Sequence, residues 1–184
     1  MHFALLLPWL LLAAPPPDCG STHEATERLV CADPVLGAQQ SKERELYAAA
    51  LNELPAAERT VQQDREAAWR HERTACASAQ DPHRCLSEQL GRRCAELRIT
   101  LKQVPVFAAV TYRCEGPKVT RLFASYYRTE PAAVRLRYHD QEAFAFVAAA
   151  ASGARYLGES VEIWEHQGVA RFTWHGRQMS CPKQ

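Results

Sequence analysis

The sequence predicts a two-part fold, a small all-α helical bundle followed by an antiparallel β-barrel or sandwich. Three observations carry this prediction. Hydrophobic residues recur at a helical period of about 3.6 from residue 34 to residue 102, and beyond residue 105 they alternate with a period of about two. The 184 residues also include 7 cysteines. Such a length allows one or two domains with small cores, which cross-links would help to stabilise.

The chain opens with an apolar run, FALLLPWLLLAA at residues 3–14, followed at once by three prolines. The run is too short to cross a bilayer comfortably, and Ala13 and Ala14 are small residues suited to cleavage. It therefore predicts a secretory signal peptide over residues 1–14 and export to the periplasm. No later run is apolar enough to predict a transmembrane helix.

Cys19 raises the question of a lipid anchor. A lipoprotein signal has small residues just before the lipidated cysteine, whereas Pro16, Pro17 and Asp18 stand there in this sequence. We therefore expect an exported protein without a lipid anchor at Cys19.

Three helices are predicted in the first half. Asp33 is suited to cap the first helix with Pro34 at its first position, and Pro55 ends it. The second runs from about Ala56 to Cys76, and the third opens at Asp81 and Pro82 and ends near Lys102. The expected inward residues of the first helix are Leu36, Leu46, Ala50, Leu51 and Leu54, and those of the second are Val61, Ala68, Trp69 and Ala75.

The second half has the alternation of short strands. Val110, Tyr112 and Cys114 alternate with polar residues, as do Val134, Leu136 and Tyr138. Turn residues separate the segments at three places, Glu115-Gly116-Pro117, His139-Asp140 and His175-Gly176. The boundary between the halves is expected near residues 102–107.

Charge excludes one class of partner. The formal net charge is +1 and no block of like charges occurs, so the footprint of a nucleic-acid-binding protein is missing. Residues 18–104 hold 12 basic and 14 acidic groups, net −2, and residues 105–184 hold 10 and 7, net +3.

In an oxidising compartment, disulfides are the default interpretation of the cysteines, and an odd number leaves one over. Spacing alone does not fix the connectivity. A Cys76–Cys85 bridge would tie two helix ends, and a Cys114–Cys181 bridge would close a long loop across the strands. Cys94 lies on the same side of a predicted helix as several leucines, so we expect it to be the unpaired cysteine with a buried thiol. The alternative is a reactive thiol. No spacing indicates a metal site.

The sequence shows no pattern of residues typical of a catalytic site. Ser152 lacks the glycines of a nucleophile elbow, His166 and His175 lie in hairpins without a metal-binding motif, and we expect both histidines on the surface. His71 and Glu72 fit a solvated helix face. The sequence thus predicts a protein that is not an enzyme and needs no cofactor.

The second half resembles the MliC/PliC family, the periplasmic and membrane-bound inhibitors of c-type lysozyme. The resemblance covers about residues 105–184 and rests on these segments: VTYRCEG from Val110, AAAASGARY from Ala148 to Tyr156, EIWEHQGVARF from Glu162 to Phe172, and Cys181. Its most specific part is the S-G-x-x-Y motif. The resemblance implies an eight-stranded antiparallel β-barrel closed by a Cys114–Cys181 disulfide.

The helical half, residues 18–102, is similar to the LprI-type N-terminal domain, whose namesake is also a lysozyme inhibitor. The similarity rests on D-C at Cys19, C-A-D at Cys31, Tyr47, W-R-x-x-R-x-x-C from Trp69 to Cys76, C-L at Cys85, and Arg92. It implies disulfides Cys19–Cys31 and Cys76–Cys85, which leave Cys94 free.

The family also implies a binding site. A loop carrying the S-G-x-x-Y serine enters the lysozyme cleft and its hydroxyl bonds the catalytic carboxylates, while a lysine of a neighbouring W-x-K-G loop adds charge. The lysine is missing here, and His166 or Gln167 stands in its place. If His166 faces those carboxylates, its pKa should rise and binding should tighten as pH falls. The residues expected to contact c-type lysozyme are Ser152, Gly153, Arg155, Tyr156, His166, Gln167 and Gly168.

Taken together, the sequence predicts an exported proteinaceous inhibitor of c-type lysozyme that blocks the active-site cleft and protects bacterial peptidoglycan. Two alternatives stay open. A non-inhibitory envelope binding or scaffolding module would have lost inhibition with the loop lysine, and a thiol-dependent enzyme would use Cys94.

Overall fold

The computed structural model of the protein describes Cys19, Thr22, residues 24–115 and residues 119–184. The predicted signal peptide and the predicted turn residues Gly116 and Pro117 lie outside the described residues. Helices precede eight strands. The helices are α1 (Ala25–Ala32), α2 (Pro34–Glu53), α3 (Ala56–Arg73), a short 3-10 helix (Thr74–Ser78) and α4 (Pro82–Thr100).

Side-chain capping begins the two longest of these helices, as predicted. The Asp33 carboxylate accepts from the main-chain N–H groups of Val35 and Leu36 ahead of α2, at 2.7 and 3.3 Å. Asp81 accepts in the same way from Arg84, at 3.0 Å, and opens α4.

Helix α1 was not among the predicted elements. It buries Val30 against α2 and α4, because Val30, Leu36 and Leu90 belong to one apolar cluster. The helix has only 8 residues, too few to show a clear hydrophobic period in the sequence.

The inward face of α3 differs from the prediction. Trp69 is buried as expected, but Val61 is 47% exposed and Ala68 and Ala75 are exposed too. The buried face is instead mostly polar, and it consists of Gln62, Glu66, Trp69 and Arg73. Counting apolar residues misplaced the buried face because ion pairs, not aliphatic contacts, join much of α3 to its neighbours.

These ion pairs form a charged centre in the helical half. The Glu66 carboxylate accepts from Arg93 of α4 at 3.1 Å and from Arg70 at 2.6 Å. Arg73 donates to Glu27 of α1 and, at 3.3 Å, to Gln40 of α2. Buried charges are tolerated only when they are paired, so removing one partner would leave an uncompensated charge.

The structure confirms the three predicted disulfides and the free cysteine. Cys19 is bonded to Cys31, Cys76 to Cys85 and Cys114 to Cys181, and Cys94 is unpaired. The Cys94 side chain is partly buried and packs with Leu46 and Leu97. Burial raises its pKa to about 11, so it behaves as a small hydrophobic residue.

The second half is one antiparallel sheet of eight strands in sequence order, as the resemblance implied. The strands are β1 (Val106–Cys114), β2 (Thr120–Tyr127), β3 (Ala133–Tyr138), β4 (Gln141–Ala148), β5 (Ala154–Gly158), β6 (Val161–His166), β7 (Val169–Trp174) and β8 (Arg177–Pro182).

The sheet curls until β1 meets β8. Gln184 N–H donates to Thr111 O at 2.9 Å, and the Cys114–Cys181 disulfide joins the same edges of the sheet. The result is a nearly closed barrel around one apolar core.

Two of the predicted turns are observed. His139 and Asp140 connect β3 to β4, and His175 and Gly176 connect β7 to β8. His175 and Gly176 both have positive φ, 47° and 79°, as a two-residue hairpin loop with the right-handed strand twist requires.

Helix α4 packs along the outside of the barrel. Ala95 and Ile99 of α4 share a buried cluster with Phe144 and Phe146, which point outward from β4. Arg65 of α3 adds an ion pair to Glu142 of β4 at 3.8 Å. This contact covers one side of the barrel and leaves the loops that follow β4 and β6 free.

Candidate functional site

Two loops with predicted binding residues lie at the same end of the barrel. Residues 149–153 connect β4 to β5, and Gln167 and Gly168 connect β6 to β7. Because adjacent strands are antiparallel, alternate connections emerge at the same end. Ala154 is directly opposite Glu165 in the β5–β6 ladder, which places the bases of the loops side by side.

The two loops are braced against each other. The Trp164 indole Nε1 donates to Ser152 O at 2.9 Å. Gly153 has a φ of +72°, and a Cβ there would lie 2.2 Å from Glu165 O, so no other residue fits without displacement. The second loop has its own cap, since Glu165 Oε1 accepts from Gly168 N–H at 2.8 Å. Hydrogen bonds thus hold both loops in place before any partner arrives.

The polar groups at the tips face solvent. Ser152, His166 and Gln167 are exposed. The main-chain oxygen of Ser152 is engaged by Trp164, whereas its hydroxyl has no hydrogen-bond partner among the residues that the structure describes. Gln167 and Gly168 adopt positive φ, 52° and 81°, which turns the second loop tightly and places His166 at the rim.

Tyr156 lies elsewhere than at the loop tip. It is half-buried and packs against the barrel core, with its ring 5.5 Å from that of Tyr126 in an edge-to-face arrangement. Burial raises the pKa of Tyr156, so its hydroxyl stays protonated. Tyr156 therefore supports the β5 strand below the loop, and a direct contact with a partner stays a prediction.

Arg155 points to the outer surface of the same strand. Its Nε donates to Glu162 Oε1 at 2.7 Å, and the Arg155 side chain is 36% exposed. Glu162 lies opposite Leu157, so this ion pair between β5 and β6 draws the guanidinium away from the loops, and a contact of Arg155 with a partner stays a prediction.

Three residues near the loops were not among the predicted site residues. Trp164 donates the hydrogen bond to Ser152 O that joins the loops, which we call the brace, and Glu165 caps the second loop. Arg171 lies opposite Trp164 in the β6–β7 ladder with its guanidinium 5.5 Å from the indole. The sequence carries one signal for them, a tryptophan four residues ahead of the turn glycine. The contact to Ser152, however, depends on how the hairpins pack.

In the described part of the chain, no group of three or more His, Cys, Asp or Glu side chains is arranged to hold a metal ion. The helices that the structure describes are also too short or too polar to traverse a bilayer.

The fold and the loops together define a class of protein, a small disulfide-closed β-barrel that presents two braced hairpin loops and is joined to a disulfide-stapled helical bundle. Within this class, residues 112–180 match the family described as membrane-bound lysozyme-inhibitor of c-type lysozyme, MliC.

Relatives extend the similarity to the helical half. The lipoprotein LprI of Mycobacterium bovis and that of Mycobacterium tuberculosis are each 29% identical to this chain over 167 residues, covering 89% of this chain and 82% of the relative. The chain is therefore similar to an MliC domain over residues 112–180 and to LprI over most of its length.

Proposed function

We propose that this protein is an exported inhibitor of c-type lysozyme that inserts its two braced loops into the active-site cleft and thereby protects bacterial peptidoglycan. The MliC match to the barrel and the LprI similarity along both halves support the inhibitor function. The geometry of the loops supports the way in which it acts.

The proposal rests on the exposure and the hydrogen bonding of Ser152. Its hydroxyl is exposed and has no partner in the described residues, while its main-chain oxygen is held by Trp164. A c-type lysozyme cleaves with one protonated and one ionised carboxyl group in a long cleft. A hydroxyl matches this pair, because it can donate to the carboxylate and accept from the carboxylic acid.

The second loop supplies polar and positive groups although it lacks the lysine. His166 and Gln167 are exposed at its tip. Arg171 is exposed beside Trp164 and has no ion pair among the described residues. A guanidinium is more weakly hydrated than an ammonium group, which suits Arg171 to a carboxylate-lined cleft.

Preorganisation strengthens this mechanism. Ordering a flexible loop on binding would consume part of the interaction energy, about 0.5–1.5 kcal/mol for each side chain that is immobilised. The brace and the Glu165 cap order both loops in the free protein, so more of the contact energy is left for affinity.

The localisation follows from the same proposal. An inhibitor that protects peptidoglycan acts outside the cytoplasm, and three disulfides in the described residues suit an oxidising compartment. We infer export to the periplasm; osmotic-shock fractionation of the producing cells should release the oxidised protein.

A cell-wall lysis assay with c-type lysozyme tests the function. The full exported chain should inhibit lysis, and Ser152→Ala should weaken inhibition about tenfold or more, because one hydrogen bond to a charged group contributes about 1.5–3 kcal/mol. Ser160→Ala is the matched control, because Ser160 is also exposed but lies in the β5–β6 turn at the opposite end of the barrel.

A second pair of variants tests the region of the second loop. Arg171→Gln should weaken inhibition, whereas Arg177→Gln, at the other end of the barrel, should not. Absence of inhibition by the wild-type chain would instead favour the non-inhibitory envelope module.

A further inference from the structure

A second surface of the barrel has an unusual composition. On β1, β2, β3 and the residue that follows β2, the outward side chains include five arginines and two phenylalanines. We call them the arginine face: Arg113, Arg121, Arg128, Arg135, Arg137, Phe107 and Phe123. Strand alternation accounts for most of these positions, since Tyr112, Leu122 and Leu136 point inward to the core. The face lies on other strands than those joined by the two loops described above.

The charges on the arginine face are not balanced. Arg113 lies directly opposite Arg121 in the β1–β2 ladder, and like charges in that position are destabilising. Of the five arginines, only Arg135 has an ion pair among the described residues, to Glu142 at 3.8 Å, and Glu142 is shared with Arg65. Glu142 also lies opposite Arg137 in the β3–β4 ladder. The other four arginines have no ion pair among the described residues. This concentration of unpaired positive charge favours an anionic partner.

Aromatic and aliphatic side chains accompany the charges. The Arg128 guanidinium lies 3.7 Å from the centroid of the Phe107 ring, and that of Arg137 lies 4.9 Å from Phe123. Phe107 is 58% exposed and the adjacent Val106 is 50% exposed. Arginine next to exposed apolar side chains matches the chemistry of a lipid headgroup region, where phosphates lie beside acyl chains.

The position of the face relative to the loops follows from the strand order. In the eight-stranded order, β2 lies across the barrel from β6, which carries Trp164 and His166. The helical half covers β4 and the end of β2 through Phe144, Phe146 and Tyr127, and it leaves most of β1 uncovered. A surface bound to the arginine face would therefore lie on the side of the barrel opposite β6, with Phe107 and Arg128 at the barrel end that also carries the two loops.

We propose that the arginine face docks onto an anionic phospholipid surface. It is the outside of a curved sheet, so it presents its charges to a broad surface, and the guanidinium groups can each engage phosphate oxygens in a bidentate manner. This role is independent of lysozyme inhibition and adds to it, because it would hold the inhibitor at the membrane.

Co-sedimentation with lipid vesicles tests the proposal. The oxidised chain should bind vesicles of phosphatidylcholine containing phosphatidylglycerol at low salt, bind pure phosphatidylcholine vesicles far less, and be released by high salt. Each arginine near an anionic surface increases partitioning about fivefold, so Arg113→Gln with Arg121→Gln should reduce it about 25-fold. Phe107→Ser should reduce binding to anionic vesicles further.

The matched control is the double variant Arg59→Gln with Arg98→Gln. Both residues are exposed on α3 and α4, and the change in net charge is the same. This control should bind as wild type, and lysis inhibition should be unchanged in both double variants. Equal losses of vesicle binding in the two would overturn the proposal, as would equal binding to neutral vesicles. Retention on an anionic cell-wall polymer without binding to vesicles would also overturn it.

Discussion

The indole Nε1 of Trp164 donates a hydrogen bond to the main-chain oxygen of Ser152 at 2.9 Å and so ties the β6–β7 hairpin to the β4–β5 loop. The bond uses the backbone of Ser152 and leaves its hydroxyl available. The two loops therefore form one unit, and substitutions in one loop are expected to change the position of the other.

Trp164→Phe should weaken lysozyme inhibition about two- to tenfold, because it removes the donor to Ser152 O while keeping an aromatic ring under Arg171. Inhibition constants from the lysis assay measure this. Trp174→Phe is the control, since it also removes an indole donor, to Gln141 at 3.1 Å, but at the far end of the barrel. Unchanged inhibition by Trp164→Phe would show that the brace is not needed.

Gly153→Ala should abolish most inhibition and lower the melting temperature. The new Cβ would lie 2.2 Å from Glu165 O, so the loops would have to separate. Gly176→Ala has a comparable positive φ, +79°, but no atom within 4 Å, and should cost about 1 kcal/mol of stability without affecting inhibition. If both variants inhibit equally well, close packing of the loops does not matter for function.

His166→Ala should flatten the pH dependence of lysozyme binding. A protonated imidazole would be attracted to the carboxylates of the enzyme, so binding of the wild type should tighten as pH falls and weaken as pH rises. Calorimetric titration between acidic and mildly basic pH measures it. His175→Ala, in the opposite hairpin, should keep the wild-type profile. The same profile in His166→Ala would remove His166 from the mechanism.

Glu43→Gln should make the protein more stable than the wild type at mildly basic pH. Burial and the neighbouring Glu66 carboxylate raise the pKa of Glu43 to about 8, although Arg93 and Arg70 oppose the rise. Because its pKa is raised, Glu43 binds its proton more tightly in the folded protein than in the unfolded chain. The resulting contribution to the free energy of unfolding is fully present below pH 4.5 and is lost as pH rises from there through about 8. Wild type should therefore lose up to about 1.4 kcal/mol per pH unit relative to Glu43→Gln in this interval.

Thermal unfolding from roughly pH 5 to roughly pH 8.5 measures this difference, because the raised pKa acts within that interval. The exposed Glu53→Gln is the control and should follow the wild type. Parallel curves for wild type and Glu43→Gln would contradict the protonated state of Glu43.

Cys94 should resist alkylation in the native protein. With its pKa raised from 9.0 to about 11 by burial, its thiolate fraction at mildly basic pH is about 100-fold below that of an ordinary thiol. Mass spectrometry after iodoacetamide treatment, with and without denaturant, compares the two states. Rapid native labelling would revive the hypothesis of a reactive thiol.

Local chemistry made much of the fold predictable. Asp33 with Pro34 and Asp81 with Pro82 start helices by capping the first turn, and His175-Gly176 forms a hairpin turn, because in each case the deciding interactions lie within a few residues. Strand alternation placed Tyr112 and Leu136 in the core for the same reason. The disulfides and the eight strands required the family resemblance, since spacing alone left the cysteine connectivity open.

The sequence by itself determined where most of the helices begin, which residues turn the chain, and which motif carries Ser152. Only the tertiary structure decided that α3 turns Glu66 and Arg73 inward and that Trp164 reaches Ser152. The physical reason is distance along the chain. A buried ion pair or a hydrogen bond between two hairpins depends on groups that folding brings together, and the hydrophobic periodicity of the sequence does not indicate such contacts.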